Sequence, residues 1–188
     1  MLKILTGQFI DKNGIQCLKD YKYKGSDYTI LDKAFQGWWE FFVSLIPLSV
    51  APNVLTLLAL VFTASAIALE LSYDTTMTAK LPVHVHFYAV FCLFWYQTLD
   101  AVDGKQARRT KTSSPLGQLF DHGCDGINTI MFIILLWSSF ERGADWAFFV
   151  CFAVFTLAFF IGQWEEQHTH VLRTSCMGVG VTECKSTS

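Results

Sequence analysis

Apolar residues in this chain gather into four long blocks separated by short polar stretches. None of the blocks shows the strict alternation of a membrane strand. The first lies within Phe41 to Leu69, a run without Asp, Glu, Lys or Arg that is interrupted by Pro47 and Pro52. Proline is tolerated in the first turn of a helix and poorly inside one. The pattern therefore predicts an interfacial piece over Trp38 to Val50 and a crossing helix from Asn53 to about Ser72. Trp38 and Trp39 fit an aromatic belt at the membrane surface. The second block runs from about Leu81 to Leu99, the third from about Gln118 to Phe140 and the fourth from about Trp146 to Trp164. Each approaches the roughly 20 residues needed to cross a hydrocarbon core, and helices satisfy their own backbone polar groups there. The expected fold class is all-α: a polytopic membrane helical bundle of about four transmembrane helices plus an interfacial N-terminal helix. Buried core helices of a soluble protein are the alternative, and they would need polar faces that these blocks mostly lack.

Composition agrees with a bilayer as solvent: 52% of the 188 residues are hydrophobic and 15% aromatic, unusual for a soluble domain. The net charge of -2 gives no hint of the clustered basic surface that binds nucleic acid. Local charge carries more information. The N-terminal segment holds Lys3, Lys12, Lys19, Lys22, Lys24 and Lys33, and the connection after the second block holds Lys105, Arg108, Arg109 and Lys111. The other connections offer only Lys80 and Arg142. By the positive-inside rule both basic segments face the cytosol. Residues 1-37 read as a cytosolic arm, 38-170 as one membrane domain and 171-188 as a C-terminal tail. Cys17, Cys92, Cys124, Cys151, Cys176 and Cys184 form no C-x-x-C pair, so they read as reduced or lipid-buried thiols rather than a disulfide frame or zinc site. The first eleven residues have too short an apolar core for a secretory signal.

Against this background the stretch "LDAVDGKQARRTKTSSPLGQLFDHGCDG", Leu99 to Gly126, places four aspartates at the membrane edge. Asp100 and Asp103 are three apart and Asp121 and Asp125 four apart, spacings that put each pair on one helical face. A short loop rich in Thr, Ser and Pro reverses the chain between them. Two antiparallel helices would then bring four carboxylates to one place. Ionised groups so close together repel and are costly at membrane depth, so a cation belongs between them. Oxygen ligands without matching His or Cys favour magnesium, manganese or calcium over zinc. One ion fits, as do two about 3.5 to 4 Å apart, the arrangement that clamps both oxygens of an in-line phosphoryl displacement. Gly104, Ala107 and Gly117 leave room for a ligand or let two helices pack closely. Arg108 can hold a phosphate bidentately.

The run Asp100, Asp103, Gly104, Ala107, Arg108, Gly117, Asp121, Asp125 resembles the signature of the CDP-alcohol phosphotransferase family, Asp-x-x-Asp-Gly-x-x-Ala-Arg followed by Gly-x-x-x-Asp-x-x-x-Asp. The wider stretch, with "APNVLTLLAL" and "YKYKGSDYTILDK", is similar to the eukaryotic choline/ethanolamine phosphotransferases. The resemblance implies transfer of phosphocholine or phosphoethanolamine from CDP-choline or CDP-ethanolamine to diacylglycerol, with CMP leaving. It implies Mg2+ or Mn2+, as two ions, on Asp100, Asp103 and Asp121, with Asp125 a fourth ligand or the general base. Gly104, Ala107, Arg108 and Gly117 would line the nucleotide pocket, and Asn53, otherwise read as a helix cap, falls where the family has a similar Pro-Asn. It further implies an integral membrane protein of the endoplasmic reticulum or Golgi with its active site facing the cytosol, membrane lipid as surroundings, and compatibility with a homodimer.

Other roles stay open from the residues. His122 competes with Asp125 as the base that takes the acceptor's proton, or it bonds a neighbour. Gln97 either faces the pocket or bonds an adjacent helix. His84 and His86 fall at the non-cytosolic interface, and Glu165, Glu166, His168 and His170 read as a solvated helix end. Family members are longer than this chain, so a shortened protein that binds nucleotide or a full-length copy without catalysis is the first alternative. A membrane prenyltransferase is the second, although its two acidic motifs would lie far apart in sequence.

Overall fold

A computed structural model describes residues 30–169. Positions 1–29 of the arm and the tail 171–188, with Cys17, Cys176, Cys184 and His170, lie outside them. Five helices and no strands are found among the described residues: α1 (Ile30–Leu45), α2 (Pro52–Tyr73), α3 (Val83–Thr110), α4 (Pro115–Ser138) and α5 (Trp146–Thr169). The bundle is all-α, as expected. Its first helix begins before Trp38, where the interfacial piece was expected to start, and it ends ahead of Pro47 rather than at Val50.

Local chemistry sets the boundaries. Ala51 is extended and Pro52 opens α2, its fixed φ suited to a first turn. Lys111 adopts a left-handed conformation (φ 58°, ψ 33°) and ends α3, its N–H and that of Thr112 bonding back to Arg108 and Ala107. Ser114 then caps α4, accepting from the Gly117 N–H at 3.1 Å, with Pro115 in the first turn. The chain thus reverses within residues 111–114. At the opposite end Asp74 leaves α2 and organises the next loop: its carboxylate accepts from the Thr76 hydroxyl and from the N–H groups of Thr76, Thr78 and Ala79. Those donors, the Thr76 hydroxyl foremost, hold its pKa below the usual carboxylate range.

The buried stripe of α2 consists of Leu55, Thr56, Ala59, Thr63, Ala66 and Glu70, mostly small side chains. Small residues let membrane helices approach closely, and α2 accordingly packs against both α3 and α4, with α5 on α4 and α1 on α3. Large apolar side chains point outward instead, among them Phe87, Val90, Phe149, Leu157 and Phe160. That distribution suits lipid surroundings. Helices α2, α4 and Trp146–Glu166 of α5 are long and apolar enough to cross a membrane. Four spans were expected. Helix α3 holds the second apolar block, but His84, His86 and Gln97 dilute it and its last third is the charged segment.

Trp39 corrects an expectation. It is buried with Leu55, Ala59, Leu99 and Val102 rather than standing in a belt, while the Trp38 indole N–H bonds Thr98 Oγ1 at 3.2 Å. Cys92, Cys124 and Cys151 are free thiols.

Residues 46–51 between α1 and α2 are tied to α3. The fully buried Gln106 donates from Nε2 to the carbonyls of Pro47 (2.9 Å) and Val50 (3.1 Å), and Arg109 Nη1 donates to those of Val43 (2.5 Å) and Ile46 (2.8 Å) at the end of α1. Gln106→Leu keeps the volume and orphans two carbonyls. A stability loss of about 1–3 kcal/mol is expected, measured by unfolding in detergent micelles.

Candidate active site

The end of α3 and the start of α4 run antiparallel, so the two acidic pairs meet. Asp100, Asp103 and Asp121 each offer a carboxylate oxygen, all within 4.8 Å of one another. Among the described residues none of the three is ion-paired, and Asp121 Oδ1 is buried without a donor. Three hard oxygen ligands, partly buried and uncompensated, fit a divalent cation. Asp125 stands beside this trio and not within it. Its Oδ1 accepts from the Tyr96 hydroxyl at 3.2 Å.

The trio opens into a cleft of about 1000 Å³. Its walls include Asn53 and Thr56 of α2, Gly104, Ala107 and Arg108 of α3, and Gly117, Gln118 and His122 of α4, with Leu48 to Ala51 along one edge. Every residue that the sequence assigned to the nucleotide pocket is therefore on the cleft wall. Asn53 is not a cap: Ala51 holds that position without a side-chain bond. It faces Gly117 instead, where an added Cβ would sit 3.6 Å from Asn53 Oδ1 and 3.3 Å from Ser114 Oγ. The missing side chain keeps this part of the cleft open. Gln97 is exposed and lies off the cleft lining.

The family-model comparison matches residues 49–185 to CDP-alcohol phosphatidyltransferase. The chain belongs to that family. Choline/ethanolaminephosphotransferase 2 of Arabidopsis thaliana is 39% identical over 165 residues, 87% of this chain and 42% of the relative. Cholinephosphotransferase 1 of Bos taurus is 37% identical over 174 residues, 92% of this chain and 42% of the relative. A class-I member of Dictyostelium discoideum, known as CDP-alcohol phosphatidyltransferase family protein 2, is 40% identical over 88% of this chain and 40% of its own length. The chain thus spans about two-fifths of the relatives it matches. Family membership and three long apolar helices make it an integral membrane protein.

Several neighbours of the site were not legible beforehand. Thr56, buried on α2, donates from Oγ1 to Asp103 Oδ2 at 2.5 Å. Glu166 is buried, against the expectation of a solvated helix end. It accepts from Gln118 Nε2 at 2.5 Å, and its Oε2 lies 3.7 Å from His122 Nδ1. A signal existed for Gln118, which stands three before Asp121 and four before His122 and so shares their face. Thr56 follows Asn53 by three in the same way.

Proposed function

We propose that this chain carries the centre of an aminoalcohol phosphotransferase, moving phosphocholine or phosphoethanolamine from the CDP-alcohol to diacylglycerol with release of CMP. The observation that carries this reading is the trio of uncompensated carboxylates from two adjacent helices, opening into a nucleotide-sized cleft beside Arg108 and Asn53. Asp100, Asp103 and Asp121 hold Mg2+ or Mn2+, which when bound neutralises the diphosphate and the charge developing on CMP.

The chain's own residues do the rest. Arg108, exposed on the cleft wall, pairs with phosphate oxygens as a fork. Asn53 offers a donor and an acceptor to the nucleotide, and Gly104, Ala107 and Gly117 admit it. In the reaction the diacylglycerol hydroxyl oxygen bonds the alcohol-bearing phosphorus as the bond from that phosphorus to the CMP oxygen breaks. The hydroxyl proton passes to a base. His122 suits this better than Asp125, because it lines the cleft while Asp125 lies off the lining, engaged by Tyr96 and Asp100. Glu166 Oε2 lies 3.7 Å from Nδ1, and the other nitrogen is the one to take the proton.

His122→Ala is expected to slow transfer about 10²–10⁴-fold while CDP-alcohol binding stays near that of the parent. Asp125→Asn should cost about tenfold, since Asp125 acts through its neighbours. Single-turnover transfer and nucleotide titration separate the two. Arg108, Arg109 and Lys111 lie at the carboxylate end and Lys80 and Arg142 at the other, which supports a cytosolic active site, on the endoplasmic reticulum or Golgi.

A second reading is a protein that binds the CDP-alcohol without turning it over. Membranes holding this chain, supplied with radiolabelled CDP-choline or CDP-ethanolamine, diacylglycerol and Mg2+ or Mn2+, decide between them. Labelled lipid supports the transferase; nucleotide binding without labelled lipid supports the second reading.

A further inference from the structure

We propose that Thr56 is a positioning residue for the cation site: its hydroxyl fixes the Asp103 carboxylate in the one orientation that serves the ion. This rests on the reading of Asp100, Asp103 and Asp121 as cation ligands.

Both partners are buried, Thr56 at 4% exposure and Asp103 at 5%. Little of the contact is open to water. The hydroxyl has one proton and two acceptors in reach, Asp103 Oδ2 at 2.5 Å and the Pro52 carbonyl at 3.4 Å. The shorter contact, to a charged acceptor, takes the proton. A carboxylate free to turn about its Cβ–Cγ bond presents either oxygen to an ion. Once Oδ2 is engaged by Thr56, that freedom is restricted.

The position of Thr56 matters as much as its chemistry. The ligands come from α3 and α4, whereas Thr56 comes from α2, one turn after Asn53. The hydrogen bond thereby couples the cation ligands to the helix that forms the opposite wall of the nucleotide cleft. A merely structural bond between α2 and α3 would stabilise the bundle and leave cation affinity alone. The two roles are separable by experiment.

The test uses the full chain in detergent micelles without nucleotide, titrated with Mn2+ and read by the electron paramagnetic resonance signal of the free ion. Thr56→Val keeps the shape and loses the hydroxyl; its Kd for Mn2+ is expected to rise about 10–100-fold, the usual effect of losing a partner that orients a ligand. Thr56→Ser keeps the hydroxyl and should stay within about threefold of the parent. Thr56→Ala makes the same comparison if the valine variant does not fold. Unchanged affinity in Thr56→Val or Thr56→Ala, with or without a lower melting temperature, overturns the proposal. Asp121→Asn is the control for the underlying reading. If the parent binds no Mn2+, or Asp121→Asn binds it equally well, the cation site itself is wrong and the proposal falls with it. If only the Thr56 variants match the parent, the site stands and the positioning role alone is lost.

Discussion

Asp121→Asn is expected to bring CMP release and lipid product down to background, a fall of about 10³-fold or more, in a protein that still folds. The substitution is isosteric, so α4 keeps its packing. What changes is one charge and one acceptor at the centre of the trio. Asp121 Oδ1 is buried and has no donor, so it is available to a cation. An amide there would either turn its N–H groups toward Asp100 and Asp103 or offer one neutral oxygen in place of a carboxylate. Both choices weaken the hold on a divalent ion. Folding points the other way, because removing one of three mutually repelling charges relieves the metal-free bundle. Loss of activity with an unchanged or raised melting temperature is the expected pair of results. Activity within tenfold of the parent, at equal protein, would remove Asp121 from the site.

The sequence allowed much of this geometry to be read because the reading depended on spacing along single helices. Three and four residues between aspartates put each pair on one face, and the turn residues of 111–114 brought the faces together. The remainder depended on how helices rotate against one another, which no local pattern encodes. All four aspartates have the same helical credentials, yet Asp125 alone accepts from Tyr96 and lies off the cleft lining. Glu166 reads as polar punctuation at the end of an apolar run, and its burial follows only once α5 has returned along α4 to Gln118 and His122. Trp39 likewise has the composition of a belt residue and the contacts of a core residue. Helix α3 shows the converse limit. Its apolar block is diluted by histidines and a glutamine, so hydropathy understates a helix that packs closely against α2.

Removing divalent cations is expected to have an effect as large as losing Asp121, and to be reversible. Chelation with EDTA should abolish transfer, and Mg2+ or Mn2+ should restore it. Zn2+ should restore little, because the cluster offers hard carboxylate oxygens and no thiolate or imidazole within the trio. Thermal unfolding supplies a readout that does not depend on turnover. A cation that binds the folded protein and not the unfolded chain stabilises it by about 2.7 kcal/mol at a hundredfold excess over Kd, so Mn2+ alone should raise the melting temperature of the parent. In Asp121→Asn the same addition should do little. The contrast tests whether these three carboxylates form a cation site at all, since exposed acids elsewhere on the surface would take up ions equally in both proteins. Should Mn2+ raise the two melting temperatures alike, the stabilisation comes from the surface and the trio has no claim to the metal. A difference confined to the parent ties the ion to Asp121, and through the 4.8 Å cluster to the two helices that carry the family signature.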